Sequence, residues 1–288
     1  MMKEYLIYLL GAIAIQLVTG NVDVSWTAFP VGAGVGAALL ALLYVVDCEW
    51  GSSACVVRWR SPRMACIILV PLLVWCVMGG CLPQSAAGEA DGFLSVCLHR
   101  LGLFDFPTSW PFVAQLVALL VHLTLLLLHR IRRCAWRRDA PFLLLHVGVW
   151  LTLLAGMVGA GDVSQYRTVV RRDVASNTAY DMQGRVTLLP YELTLQDFEV
   201  TVNGEDGSPV QYAATFLLDG IPSTLAVNAP HAVSLAEDIY LMSFDRGEEG
   251  DTIDRCVLQI VRQPWKYPML AGLLMLLCGA GWMMVKLK

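Results

Sequence analysis

The sequence predicts a polytopic α-helical membrane protein of about six transmembrane helices, with one extracytoplasmic antiparallel β-rich domain. Three observations predict it. The 288 residues are 57% hydrophobic and only 15% charged, with a mean hydropathy of +0.59, whereas soluble chains carry about a quarter charged residues. The apolar residues come in blocks too long for core helices. From Gly161 to about Lys266 the periodicity changes from helical to alternating.

Six stretches are long enough to cross: Tyr5–Gly20, Pro30–Val46, Met64–Leu82, Pro111–His129, Pro141–Ala160 and Tyr267–Val285. Each is near the 17–25 residues that about 30 Å of hydrocarbon requires. The first reads as a retained span, because Val-Thr-Gly-Asn is a poor cleavage site and only Lys3 precedes it. The expected organisation is a bundle of five spans over 1–160, an extracytoplasmic β-sandwich-like domain over 161–266 and a last span over 267–288. Glycines in Gly32-Ala-Gly-Val-Gly36 and at Gly148, Gly156 and Gly159 mark places where helices can approach closely.

Cations set the orientation. The 47–63 loop carries Arg58, Arg60 and Arg63, and the 130–140 loop carries Arg130, Arg132, Arg133, Arg137 and Arg138. Lys3, Lys286 and Lys288 lie at the two ends, and the opposite side has only Arg100 in its two short loops. Both termini are therefore expected in the cytoplasm. Of the 24 acidic residues, 16 lie between Asp162 and Asp254, which argues against nucleic acid or anionic headgroups as a partner of that domain.

Within the domain, Arg185–Val202 reads as two strands separated by Pro190, which breaks a ladder. Turns at Asn203-Gly204, Gly207-Ser208-Pro209 and Gly247–Gly250 separate further strands near Gln211–Leu218, Ser223–Asn228, Ile239–Phe244 and Cys256–Arg262. The nine cysteines contain no C-x-x-C and no C-x-x-C-H, which leaves out thioredoxin-like redox and c-type haem attachment. Cys81, Cys97 and Cys256 face the oxidising side, and whether Cys81 and Cys97 pair stays open.

Ionisable residues within spans are functional candidates by default. His146 lies five residues into the fifth span, about 8 Å deep at helical rise. His122 lies seven residues before His129, about 10 Å in from it on the same face of the fourth span. If these spans are neighbours, the two imidazoles share one depth and are candidate axial ligands for haem iron, His146 foremost. A hydrogen bond to a neighbouring helix is the plainer reading of either. Trp150, one turn beyond His146, is a candidate to line a haem plane, although packing explains it too. Trp110, Trp265 and Tyr267 read as interfacial anchors. His129 reads as a headgroup-facing end residue, and His99 and His231 as loop residues. There is no P-loop, no G-x-S-x-G, no metal-spaced His/Glu pair and no paired membrane carboxylate. No catalytic residue is assigned, and an autonomous enzyme is not expected.

Several stretches, in order, resemble the ResB/CcsB family of system II cytochrome c biogenesis, in its Bacteroides-like form. They are Gln16-Leu-Val-Thr-Gly20 through Trp26 and Pro30; Thr108-Ser-Trp-Pro-Phe112; and Pro141-Phe-Leu-Leu-Leu-His-Val-Gly-Val-Trp150 with Gly159-Ala-Gly-Asp162. Leu189-Pro-Tyr-Glu-Leu-Thr-Leu-Gln-Asp-Phe198, Asp238-Ile-Tyr-Leu-Met-Ser-Phe-Asp245 and Val261-Arg-Gln-Pro264 follow. The resemblance implies a non-autonomous subunit of a haem lyase in the bacterial inner membrane. With a CcsA-type tryptophan-rich membrane protein it would export haem b and present it for thioether attachment to apocytochrome c. It implies His146 as the membrane histidine that holds haem. This chain lacks the tryptophan-rich segment, and its soluble domain is short for the family. A structural subunit that docks the partner or apocytochrome without touching haem is the alternative.

Overall fold

The computed structural model describes residues 2–84, 92–202, 209–246 and 253–286. The expected turns at Asn203-Gly204, Gly207-Ser208 and Gly247–Gly250 lie outside the described residues. The chain divides into two units, Met1–Gly161 with Pro268–Lys288, and Asp162–Tyr267.

The first unit is helical. Six helices are long and apolar enough to cross a membrane: α1 (Met2–Thr19), α2 (Val31–Trp50), α4 (Pro62–Gly80), α6 (Trp110–Arg132), α7 (Trp136–Gly159) and α8 (Lys266–Lys286). Two short helices fill loops, α3 (Ala54–Trp59) and α5 (Phe93–Arg100). Helix starts follow their capping residues. Ser61 accepts from Met64 N–H at 3.3 Å, with Pro62 in the first helical turn, and Ser53 does the same for α3. Pro141 does not open the fifth span as its sequence suggests. It lies inside α7, which starts at Trp136, where Asp139 accepts the N–H of Ala135 at 2.9 Å.

Helix α6 is the hub, with α1, α2, α4 and α7 packed on it. Gln16 of α1 ties one end of this bundle together. It accepts from Trp110 N–H at 2.9 Å and donates to Asn21 Oδ1 at 2.6 Å. Of the expected packing glycines, Gly148 is required. A Cβ there would lie 2.4 Å from Leu276 N and 2.6 Å from Gly272 O, so α7 and α8 meet backbone to backbone. Gly156 and Gly34 face open space instead.

The second unit is one antiparallel sheet of eight strands. They are β1 (Ser164–Arg171), β2 (Ser176–Asp181), β3 (Val186–Val202), β4 (Pro209–Leu218), β5 (Ile221–Ala226), β6 (His231–Ser234), β7 (Glu237–Arg246) and β8 (Ile253–Arg262), in the order β5-β4-β3-β2-β1-β8-β7-β6. Two stacked sheets, as a sandwich requires, are not formed. The single sheet curls until β4 and β7, each second from an edge, face each other. Tyr212 and Phe198 both pack on Phe244 at 4.9 Å, and Phe216 meets His231 edge-on at 5.6 Å. One core results, with Val170, Leu193, Leu195, Phe216, Leu225, Leu258 and Ile260 fully buried. Register shifts near Pro190, Gln196 and Met242 supply the bend. Pro190 does not end a strand, because it falls in a bulge of β3 where no ladder bond is owed. Strands β1, β2 and β6 are additions to the sequence reading.

Candidate functional site

Helices α6 and α7 are neighbours, which meets the condition for bringing His122 and His146 together. His122 is only 3% exposed, and its Nδ1 lies 2.6 Å from the carbonyl oxygen of Trp59 at the end of α3. The Nδ1 of His146 lies 2.8 Å from the carbonyl of Phe142, one turn back on α7, and its ring stacks on Phe142 at 3.9 Å. Arg130 covers the Phe142 ring at 5.3 Å.

These contacts fix the chemistry. A carbonyl oxygen can only accept, so each Nδ1 carries the proton and donates. In the neutral ring the lone pair is then on Nε2, and neither Nε2 has a hydrogen bond among the described residues. A ring held this way is the donor that metal sites use, because the bond at Nδ1 fixes the tautomer and raises the basicity of Nε2. Either ring would present Nε2 as a donor to a metal centre. No group of three or more His, Cys, Asp or Glu placed to hold a metal ion is found among the described residues.

Trp150 is placed by packing. Its Nε1 donates to Thr124 Oγ1 at 2.9 Å, and Thr124 donates to the Leu120 carbonyl at 2.7 Å. It packs against the buried cluster that includes Tyr5, Met64, Ile68 and Leu123. His129 is not free to face headgroups alone, because its Nδ1 lies 2.8 Å from the Arg60 guanidinium and must accept from it. Arg60 and Arg132 flank the buried Asp47 of α2 at 3.7 and 3.3 Å. Sequence reasoning missed Trp59 and this Asp47 cluster. A lone carboxylate near the end of an apolar helix was the available signal for the cluster, but nothing in the sequence marks a backbone carbonyl such as that of Trp59. A cavity of about 500 Å³ lies beside Trp59, lined also by Tyr5, Tyr8, Arg58, Met64 and Ala118. His99 is on α5 rather than in a loop, and His231 fills the sheet interior against Phe216. Cys81 and Cys97 are both free thiols.

No curated protein matches the chain. Among solved structures it is similar to "Cytochrome c Heme Lyase CcmF" at 17% identity and a TM-score of 0.38, over 85% of this chain. The chain spans 43% of the length of that protein. The ResB-like family matches residues 132–258, from the end of α6 through most of the sheet. The ResB resemblance read from the sequence is thereby borne out over those residues.

Proposed function

We propose that the chain serves cytochrome c maturation as a non-autonomous subunit of a system II haem lyase. Its partner is a CcsA-type tryptophan-rich membrane protein. Haem b is the cargo, carried across the inner membrane and presented to apocytochrome c. The observation that carries this reading is the pair of imidazoles on packed spans, each bound through Nδ1 and open at Nε2. Of the two, His146 is the axial ligand or lines the haem route. It and Trp150 fall inside the ResB-like segment, and His122 falls outside it. The orientation has both termini in the cytoplasm, so a reporter fused at Ser208 is active outside and one at Arg133 is inactive there.

The test is haem content of the chain co-purified with its partner. His146→Gly opens a coordination position at a helix cost of about 1 kcal/mol. The complex should assemble, carry a weaker Soret band and mature less cytochrome c, with partial rescue by free imidazole. If His122→Gly loses haem and His146→Gly does not, the ligand is His122. A scaffolding subunit is the second reading, supported by the near-complete burial of His122 on a backbone carbonyl. Normal haem and maturation in both variants would establish it.

A further inference from the structure

Both connections of the sheet unit to the helices leave from one end of it. Strand β1 begins two residues after the turn Ala160–Asp162 that follows α7, and β8 ends four residues before α8. Their register pairs Ser164 with Arg262, so the chain leaves and re-enters the membrane at the same end of the sheet. Trp265 Nε1 donates to Asp162 Oδ2 at 2.8 Å and locks the two connections together. Register also brings two hairpin turns to this rim. Tyr166 pairs with Asp181, which places Met182–Gly184 there, and Glu237 pairs with Arg262, which places Leu235–Ala236 there. Gln263 N–H donates to the Ala236 carbonyl at 2.6 Å.

These turns carry large apolar side chains that the protein leaves uncovered. Leu235 is 76% exposed and Met182 is 53% exposed, and Val163 and Val186 beside them are exposed as well. The rim carboxylates are all held by neighbours. Asp181 pairs with Arg185 at 2.6 Å, Glu237 with Arg262 at 2.8 Å and Asp238 with Lys266 at 2.6 Å.

We infer that Met182 and Leu235 insert into the surface of the bilayer and hold the sheet on it at two points. The occupant is lipid because both connections to the spans leave from this rim, within a few residues of the hydrocarbon. Trp265 and Tyr267 stand there as residues suited to the headgroup layer. Pairing of the carboxylates removes the acidic field that would otherwise repel headgroups. The attachment is apolar, so it does not need anionic lipid. It requires only that α7 and α8 span, and it stands or falls separately from haem binding.

The test uses the full chain in zwitterionic phosphatidylcholine nanodiscs, with a photoreactive benzoylphenylalanine replacing Met182, Leu235 or, at the far end, the exposed Val174. Lipid adducts several-fold more abundant at 182 and 235 than at 174 are expected, with Gln183 as a second site in the same turn. Adduct levels equal to those at 174 would overturn the inference. So would adducts formed with protein in place of lipid, which would make the rim a subunit contact.

Discussion

The two units treat buried polar groups differently. In the sheet, Glu237 is 4% exposed and fully engaged, accepting from Tyr191 Oη at 2.5 Å and from Arg262 Nε at 2.9 Å. Burial first, and then the carboxylate beside it, hold the Tyr191 hydroxyl far above its usual pKa. In the helical unit, five buried side-chain polar atoms lack a hydrogen bond among the described residues, on Tyr5, Asp47 (held only by the longer ion pair to Arg60), Trp110, Gln115 and Arg130. The sheet has one, on Arg172. A closed network specifies a fold, whereas an open one in a low-dielectric interior is costly unless something else completes it. The bundle is thus the half of the molecule with the more open polar groups.

Breaking the closed network should give the largest effect. Glu237→Leu leaves Tyr191 and Arg262 unpaired and is expected to cost about 3 kcal/mol, whereas Glu237→Gln keeps a hydrogen-bonding group and costs about 1 kcal/mol. Hydrogen exchange at β7 and β8 amides in the full chain reads this directly, and haem content should be unchanged. Equal exchange in all three proteins would remove the contrast between the units.

Gly148→Leu comes next. A side chain at that position meets the backbone of α8, and overpacking of this kind costs about 1–3 kcal/mol. Since α7 carries His146, the variant should also lose haem, in contrast to Gly156→Leu, which faces open space. Haem retained by Gly148→Leu would mean that α8 has no part in placing α7.

The motifs that carried the resemblance show what a sequence exposes. Gln16 holds the start of α6, Tyr191 reaches Glu237, Asp238 pairs with Lys266, and Gly161 N–H donates to Thr27 Oγ1. The first three act through polar side chains, which a sequence displays. The spans were legible because the bilayer demands long apolar runs. Trp59 was not, because its contribution is a carbonyl that every residue possesses. The curl of the sheet was not either, since alternation gives the faces of a strand and not its neighbours. Pro190 misled for the same reason, as a bulge is a property of pairing.

A smaller effect separates the roles of Trp150. If packing places it, Trp150→Phe loses the bond to Thr124, worth about 1 kcal/mol, and keeps haem. If the indole lines haem, Trp150→Phe shifts the Soret band while Thr124→Val, which removes the same bond, does not.

The smallest effect concerns two thiols, one from each unit. Cys81 is exposed at the end of α4, whereas Cys256 is buried in the sheet core beside Leu258. Burial pushes the Cys256 thiol up to about 12, because a thiolate there would lose its hydration. A thiol whose folded pKa lies above its unfolded one favours the fold while it stays protonated. That contribution is whole below the ordinary thiol range near pH 9 and is lost as pH rises toward about 12. At pH 8, iodoacetamide should therefore modify Cys81 within minutes and leave Cys256 intact, as read by peptide mass spectrometry. The Glu237→Leu variant should expose Cys256 to the reagent as β7 and β8 open, while Cys81 reacts as before. Modification of Cys256 at the same rate in both proteins would mean that the sheet opens without breaking its buried network.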